Sequence, residues 1–269
     1  MMNKIQNIKA RLHGLTAAIV LGLGAGSSIQ ALDFNEGEHV VFIGNALAER
    51  MQHHGWLESY IQGTMAEKEL VFRNHGFGGD KVNNRPRNNG FPSADAYLEI
   101  SKADVILAFW GYNESFDNSP DAYMADLAKW VDETKEKKYN GKSAPRIVLL
   151  SPISHENLGK ANLPDGAANN ERLSKYTEVT RKVANEKGVD FVDLFSLSSR
   201  LYEKSRKPLT VNGIHLTSEG NKQLAQGIYK NLFGKNPRVS RRKLTRIQDA
   251  VLNKNWHWYN RYRATDGND

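Results

Sequence analysis

The chain has 269 residues, 39% of them hydrophobic and 25% charged, a composition that suits one large globular α/β domain. It has no cysteine, which excludes disulfides, a thiol nucleophile and Cys-ligated zinc. The net charge of +7 is unevenly placed: residues 234–269 hold nine Lys/Arg against three Asp, whereas residues 32–233 come out at −2, so basicity belongs to the tail and says nothing about what the body binds.

At the N-terminus, Lys4, Lys9 and Arg11 precede a short apolar run, Leu15 to Gly24, and then Gly26-Ser27-Ser28 and Ala31. The pattern is that of a cleavable export signal over residues 1–31, which places the mature protein outside the cytoplasm, secreted or periplasmic. The run is too short to span a bilayer, and no later apolar stretch is long enough for a transmembrane span. The alternative for this segment is a buried N-terminal helix.

The body then alternates strand-like and helix-like segments. His39–Ile43, Leu70–Phe72, Val105–Phe109, Arg146–Leu150 and Val189–Asp193 read as strands, the apolar runs being typical of strands buried on both faces. Helical patterns fill the gaps at 47–62, 93–101, 121–138, 168–187 and 218–233. This alternation predicts βαβ units with right-handed crossovers. The expected architecture is a flavodoxin-like three-layer α/β/α sandwich around a five-stranded parallel sheet, with domain bounds at 38–233. In such sheets ligands bind beyond the carboxyl ends of the strands. The polar, glycine-rich segments Gly44-Asn45, Asn74–Asp80, Gly111–Glu114 and Ser151–Glu156 fall there.

Four motifs stand in order: Phe42-Ile-Gly-Asn-Ala-Leu-Ala-Glu-Arg50, Asn74-His-Gly-Phe-Gly-Gly79, Gly111-Tyr-Asn-Glu114, and Asn212-Gly-Ile-His-Leu-Thr-Ser-Glu-Gly220. Together they resemble the SGNH (GDSL-like) hydrolase superfamily, whose blocks carry Ser, Gly, Asn and His at these places. The resemblance covers roughly residues 38–233. It implies that the backbone N–H of Gly79 and the side-chain amide of Asn113 serve as oxyanion-hole donors, usually the largest catalytic contribution. It also implies that His215 is the general base and that the substrates are carboxylic esters, often on sugars. Asn45, Asp80, Glu114 and Arg87 are the accompanying candidate ligand contacts.

Two positions depart from the family pattern. Ala46 stands where the nucleophilic serine belongs, and Asn212 where the triad aspartate belongs. In serine proteases, loss of the nucleophile costs about 10⁶-fold in turnover, and replacing the acid by its amide about 10⁴-fold. Ordinary acyl-enzyme chemistry is therefore not expected, and a pseudoenzyme is. Several alternatives stay open. Ser151 and Ser154, in Ser151-Pro-Ile-Ser-His-Glu156, are either substitute nucleophiles or parts of a polar loop. Glu49 and Glu114 either cap helices and bond loop backbone or sit in the pocket. Asp80 with Arg85 and Arg87 is either a structural ion pair or a clamp for an anion. Water attack with His215 or Asp80 as base is a further route. His53-His54 do not share a helix face, His155-Glu156 lacks the second histidine of a zinc motif, and Gly76-x-Gly78-Gly79 has the wrong spacing for a dinucleotide. No metal or cofactor is expected.

In the tail, Leu244, Ile247 and Val251 form one apolar helical stripe, and Asn255-Trp-His-Trp-Tyr-Asn-Arg-Tyr-Arg263 follows. Either the stripe and the aromatics dock on the body, or the Arg and aromatic side chains bind sugars or anionic polymers. The expected partner of the body is thus a small-molecule or glycan ester. The alternative function is a non-catalytic carbohydrate- or polyanion-binding domain, with the tail reaching a larger exported assembly. Nucleic acid is not expected as a partner.

Overall fold

The computed structural model describes residues 31–87 and 91–262. The segment expected to be an export signal, but for Ala31, and the last seven residues lie outside them. Strands β1 (His39–Gly44), β2 (Val71–Asn74), β3 (Val105–Phe109), β4 (Arg146–Leu150) and β5 (Asp190–Val192) form one parallel sheet in the order β2-β1-β3-β4-β5. The eight α-helices described are α1 (Ala46–Met51), α2 (Trp56–Thr64), α3 (Ala94–Ile100), α4 (Pro120–Lys135), α5 (Ala167–Lys187), α6 (Leu194–Lys204), α7 (Ser218–Phe233) and α8 (Arg241–Tyr262).

Side chains alternate across a strand, so each buried strand feeds two cores. Val40, Phe42, Val105, Leu107 and Phe109 face α2 and α7, where they meet Leu57, Ile61, Leu224 and Ile228. Val41, Ile43, Ile106 and Ala108 face the other way, toward Leu98 of α3, Leu127 and Trp130 of α4 and Tyr176 of α5. These are the two helical layers of the sandwich. The chain leaves β1 for the edge strand β2 and crosses back to β3. Strand order thus reverses between β1 and β3, and a crevice opens at their carboxyl ends.

Two elements differ from the sequence pattern. The helix expected over 47–62 is two helices, broken where Gly55 takes a left-handed φ of 63°. A Cβ on Gly55 would also come within 2.8 Å of Val251 Cγ1, so glycine is required there by both turn and packing. Helix α6 was not anticipated. Asp193 caps it by accepting from Ser196 N at 2.8 Å, and Leu194, Leu197 and Leu201 turn one face to the α2–α7 core.

The tail docks on the body. Val251, Asn255 and Trp258 of α8 are buried. Lys254 Nζ donates to Phe72 O at 3.1 Å and Trp258 Nε1 to Asn74 O at 2.8 Å, so α8 occupies carbonyls along the open edge of β2. Lys243 Nζ, Gln248 Nε2 and Asn255 Nδ2 bond the carbonyls of Gly63, His54 and Gln52.

Candidate active site

The first loop of the site depends on close backbone approach. Gly44 ends β1 with a φ of +126°, and a Cβ on it would lie 2.2 Å from Phe109 O. Asn45 N then donates to that same carbonyl at 3.3 Å, and Asn45 Oδ1 caps α1 by accepting from Leu47 N at 3.1 Å. Ala46 is therefore held rigidly at the mouth of the crevice, in the first turn of α1. The loop after β2 wraps over it. Asn74 Nδ2 donates to Ala48 O at 2.7 Å, and a Cβ on Gly76 would come within 2.3 Å of Glu49 N.

His215 arrives from the opposite side, on the loop before α7. Asn212 Oδ1 accepts the N–H groups of His215 at 3.0 Å and Ile214 at 3.4 Å, while His215 Nδ1 lies 3.0 Å from Asn212 Nδ2 and 3.1 Å from its Oδ1. The loop is anchored by Glu156, whose buried carboxylate accepts from Leu209 N, Thr210 N and Thr210 Oγ1 at 2.6–3.1 Å. Glu156 N donates to Gly213 O at 2.8 Å, and a Cβ on Gly213 would lie 2.2 Å from His155 Nε2. The imidazole of His215 is held below its ordinary pKa, first by burial and then by the Arg50 cation, with Glu49 opposing.

Ala46 and His215 line one cavity with an empty volume of about 510 Å³, part of it open to solvent. Its walls are mostly apolar: Leu47, Phe109, Trp110, Pro152, Ile153 and Ile214. Its polar lining includes Asn45, Arg50, Tyr112, Ser151 and Asn221. Arg50 and Tyr112 were not singled out in the sequence. Arg50 was legible by spacing, since it lies four positions after Ala46 on one helix.

Gly79 and Asn113 are brought to each other rather than into this lining. Asn113 Nδ2 donates to Asp80 O at 2.8 Å, one residue from Gly79, which is exposed with φ +88° and open space above it. Asn113 follows Tyr112, which does line the cavity. Three of the candidate ligand contacts, Asp80, Arg87 and Glu114, have polar atoms committed to protein partners. Asp80 is buried in a bidentate pair with Arg87 (3.0 and 2.9 Å), and Arg87 lies over the Phe77 ring. Arg85 pairs instead with Asp95. The Glu114 carboxylate is buried and accepts Val82 N and Gly111 N, both at 2.8 Å. Burial raises its pKa, while those same N–H groups oppose the shift.

The serines after β4 are structural. Ser151 Oγ accepts from Leu194 N and Phe195 N at the start of α6, at 2.9 and 3.2 Å, and Ser154 Oγ is 2.9 Å from Ser198 Oγ. Both hydroxyls are buried.

A parallel doubly wound sheet with its cavity at the β1–β3 reversal, and a histidine delivered from the loop before the last body helix, defines an esterase-like α/β scaffold. The chain belongs to the GDSL-like lipase/acylhydrolase family, whose model matches residues 42–223. Solved structures with a similar fold include a gut microbial diltiazem-metabolizing enzyme (TM-score 0.62, 18% identity, 76% of this chain and 49% of that one). They also include an acetylxylan esterase from Geobacillus stearothermophilus (TM-score 0.57, 19% identity, 78% and 100%) and an α/β hydrolase from the metagenome of Lake Arreo, Spain (0.57, 19%, 74% and 96%). The chain thus spans about half the length of the first and all or nearly all of the other two. Catalytic mutants of the acetylxylan esterase change a serine, an aspartate and a histidine to alanine. No curated protein matches the sequence.

Proposed function

We propose that this is an exported ester-recognising domain that binds an acylated, carbohydrate-borne ligand and does not turn it over by the acyl-enzyme route. The observation that carries this reading is a cavity lined by both His215 and Ala46, so that a methyl group stands at the position where the family pattern puts the nucleophile. The family pattern puts the nucleophile at residue 46, and the esterase neighbour's catalytic mutant makes the same change, serine to alanine. No substitute supports turnover: Ser151 spends its lone pairs on the α6 N-terminus, and Asp80 is neutralised by Arg87. Apolar walls with a few convergent polar groups suit an acyl group and its carbonyl. The family pattern puts the carbonyl donors at the second hydrogen of the Asn113 amide and the Gly79 N–H, which lie outside the cavity lining, with Asn113 next to the lining residue Tyr112.

A second reading has one observation in its favour. Asn212 Oδ1 lies within reach of His215 Nδ1, and a ring protonated there keeps Nε2 free as a base for water. Acetylated xylo-oligosaccharides distinguish the two. Saturable binding by calorimetry without acetate release is the expected result. Acetate release that disappears in His215→Ala would establish the water route and end the first reading.

A further inference from the structure

Helices α2 and α8 flank a surface groove with an empty volume of about 1550 Å³, most of it open to solvent, far in character from the apolar cavity at Ala46. Its polar lining is rich in cations, Arg242, Lys243, Arg246 and Lys254, over an aliphatic floor of Ile247 and Val251. The one lining carboxylate, Glu58, is already engaged by Lys254 Nζ at 2.8 Å. Lys243 is tethered to Gly63 O. Among the described residues no carboxylate lies within ion-pair distance of Arg241, Arg242 or Arg246. All three are exposed.

These cations crowd the first turns of a 22-residue helix. That is the end at which the helix dipole disfavours positive charge, so helix stability does not account for them. The same exposed stripe continues at helical spacing through Asp249 and Asn253 to Trp256. Trp256 is 62% exposed, the most exposed large hydrophobic side chain described, and its ring meets only His257 edge-on. It lies ten residues beyond Arg246, about 15 Å along the axis. Its neighbour Trp258, by contrast, is consumed by docking on β2. A flat ring in line with unpaired guanidinium groups offers a face for the C–H side of a pyranose and planar donors for its acid groups.

We propose that the α2–α8 groove and the Trp256 stripe bind an acidic polysaccharide, a chain of sugars carrying repeated carboxylate groups. The inference is independent of the ester-site reading, since it shares no residue with that cavity. The test uses the full chain and oligogalacturonates as the probe, with neutral xylo-oligosaccharides and single-stranded DNA of equal charge as comparators. Oligogalacturonate binding that weakens with added salt is expected, with none to the neutral chain. Arg242→Glu with Arg246→Glu should weaken it by about tenfold or more through lost charge-assisted contacts, without lowering Tm, because acids are favoured at that helix end. Trp256→Ala should weaken it while leaving Tm unchanged. No binding by the parent, binding indifferent to the double reversal, or DNA held as tightly as the uronate would each overturn the proposal. If the reversal variant melts early, Arg242→Gln with Arg246→Gln supplies the same comparison.

Discussion

Asn212 differs from an aspartate in more than charge. Its oxygen already holds two backbone N–H groups of its own loop, so the amide fixes the loop whether or not it governs the imidazole. Toward His215 Nδ1 it presents both a donor and an acceptor at nearly equal distance. An aspartate can only accept, which locks the ring with Nδ1 protonated and Nε2 basic. The amide leaves both tautomers satisfied and supplies no charge to stabilise the imidazolium. Burial is the largest cause of the lowered His215 pKa, and the Arg50 cation is the second. Arg50→Gln should therefore move that pKa up, but keep it below 6.5, because the desolvation remains. Asn212→Asp should raise it, an adjacent carboxylate favouring the charged ring. Both are read from the pH dependence of the His215 ring signals by NMR. An unchanged value in Arg50→Gln would mean that the guanidinium does not act on the ring.

Helix α8 shows how one element divides its residues between docking and display. Trp258 stacks against His75 with ring centroids 5.6 Å apart, carries Arg73 over its face and bonds the β2 edge. Trp256, two positions earlier, points into solvent. Trp258→Ala should cost about 3 kcal/mol in denaturant unfolding, and Trp256→Ala no more than about 0.5. Equal costs would mean that the helix does not dock through this face. The apolar stripe at Leu244, Ile247 and Val251 made the helix legible, and its period is what docking requires. Which tryptophan would be buried was not legible, because the choice depends on the β2 carbonyls that α8 reaches. The same limit applies at the site. Strands β3 and β4 match the expected segments to the residue, since a run of apolar residues buried on both faces marks a strand by its length alone. Ala46 and His215 were placed by motif, and they share a cavity. Asp80, Arg87 and Glu114 have the right chemistry and the right loops. Their side chains are spent on each other and on loop N–H groups, which only tertiary geometry decides. Helix α6 escaped because serines interrupt its apolar face and its cap, Asp193, closes a predicted strand.

Taken as a whole, the fold buries four imidazoles and supplies no carboxylate that offsets their desolvation. His53, His54, His155 and His215 all sit below the ordinary histidine pKa, with desolvation as the leading cause in each. Near and below pH 6.5 the unfolded chain then holds more protons on these groups than the folded one, so their contribution to stability is complete above 6.5 and fades as pH falls through the folded-state values. Glu58, Glu114 and Asp190 act in the opposite sense. Their pKa values are raised by burial, so the folded state holds the extra protons, and they favour folding on the acid side of their own windows, which open near 4.5 and 3.8. The histidine windows run downward from 6.5, so within them the folded state loses stability as pH falls. Tm should fall between pH 7.5 and pH 5.5, reversibly. His155 is the most buried of the four, enclosed by Gly166 and Gly213, and it braces the loop that carries His215. His155→Gln should lower Tm at neutral pH through lost packing yet flatten its decline toward pH 5.5, because one suppressed proton-binding site is gone. A decline as steep as the parent's would assign the acid sensitivity to other groups and leave the brace as packing alone.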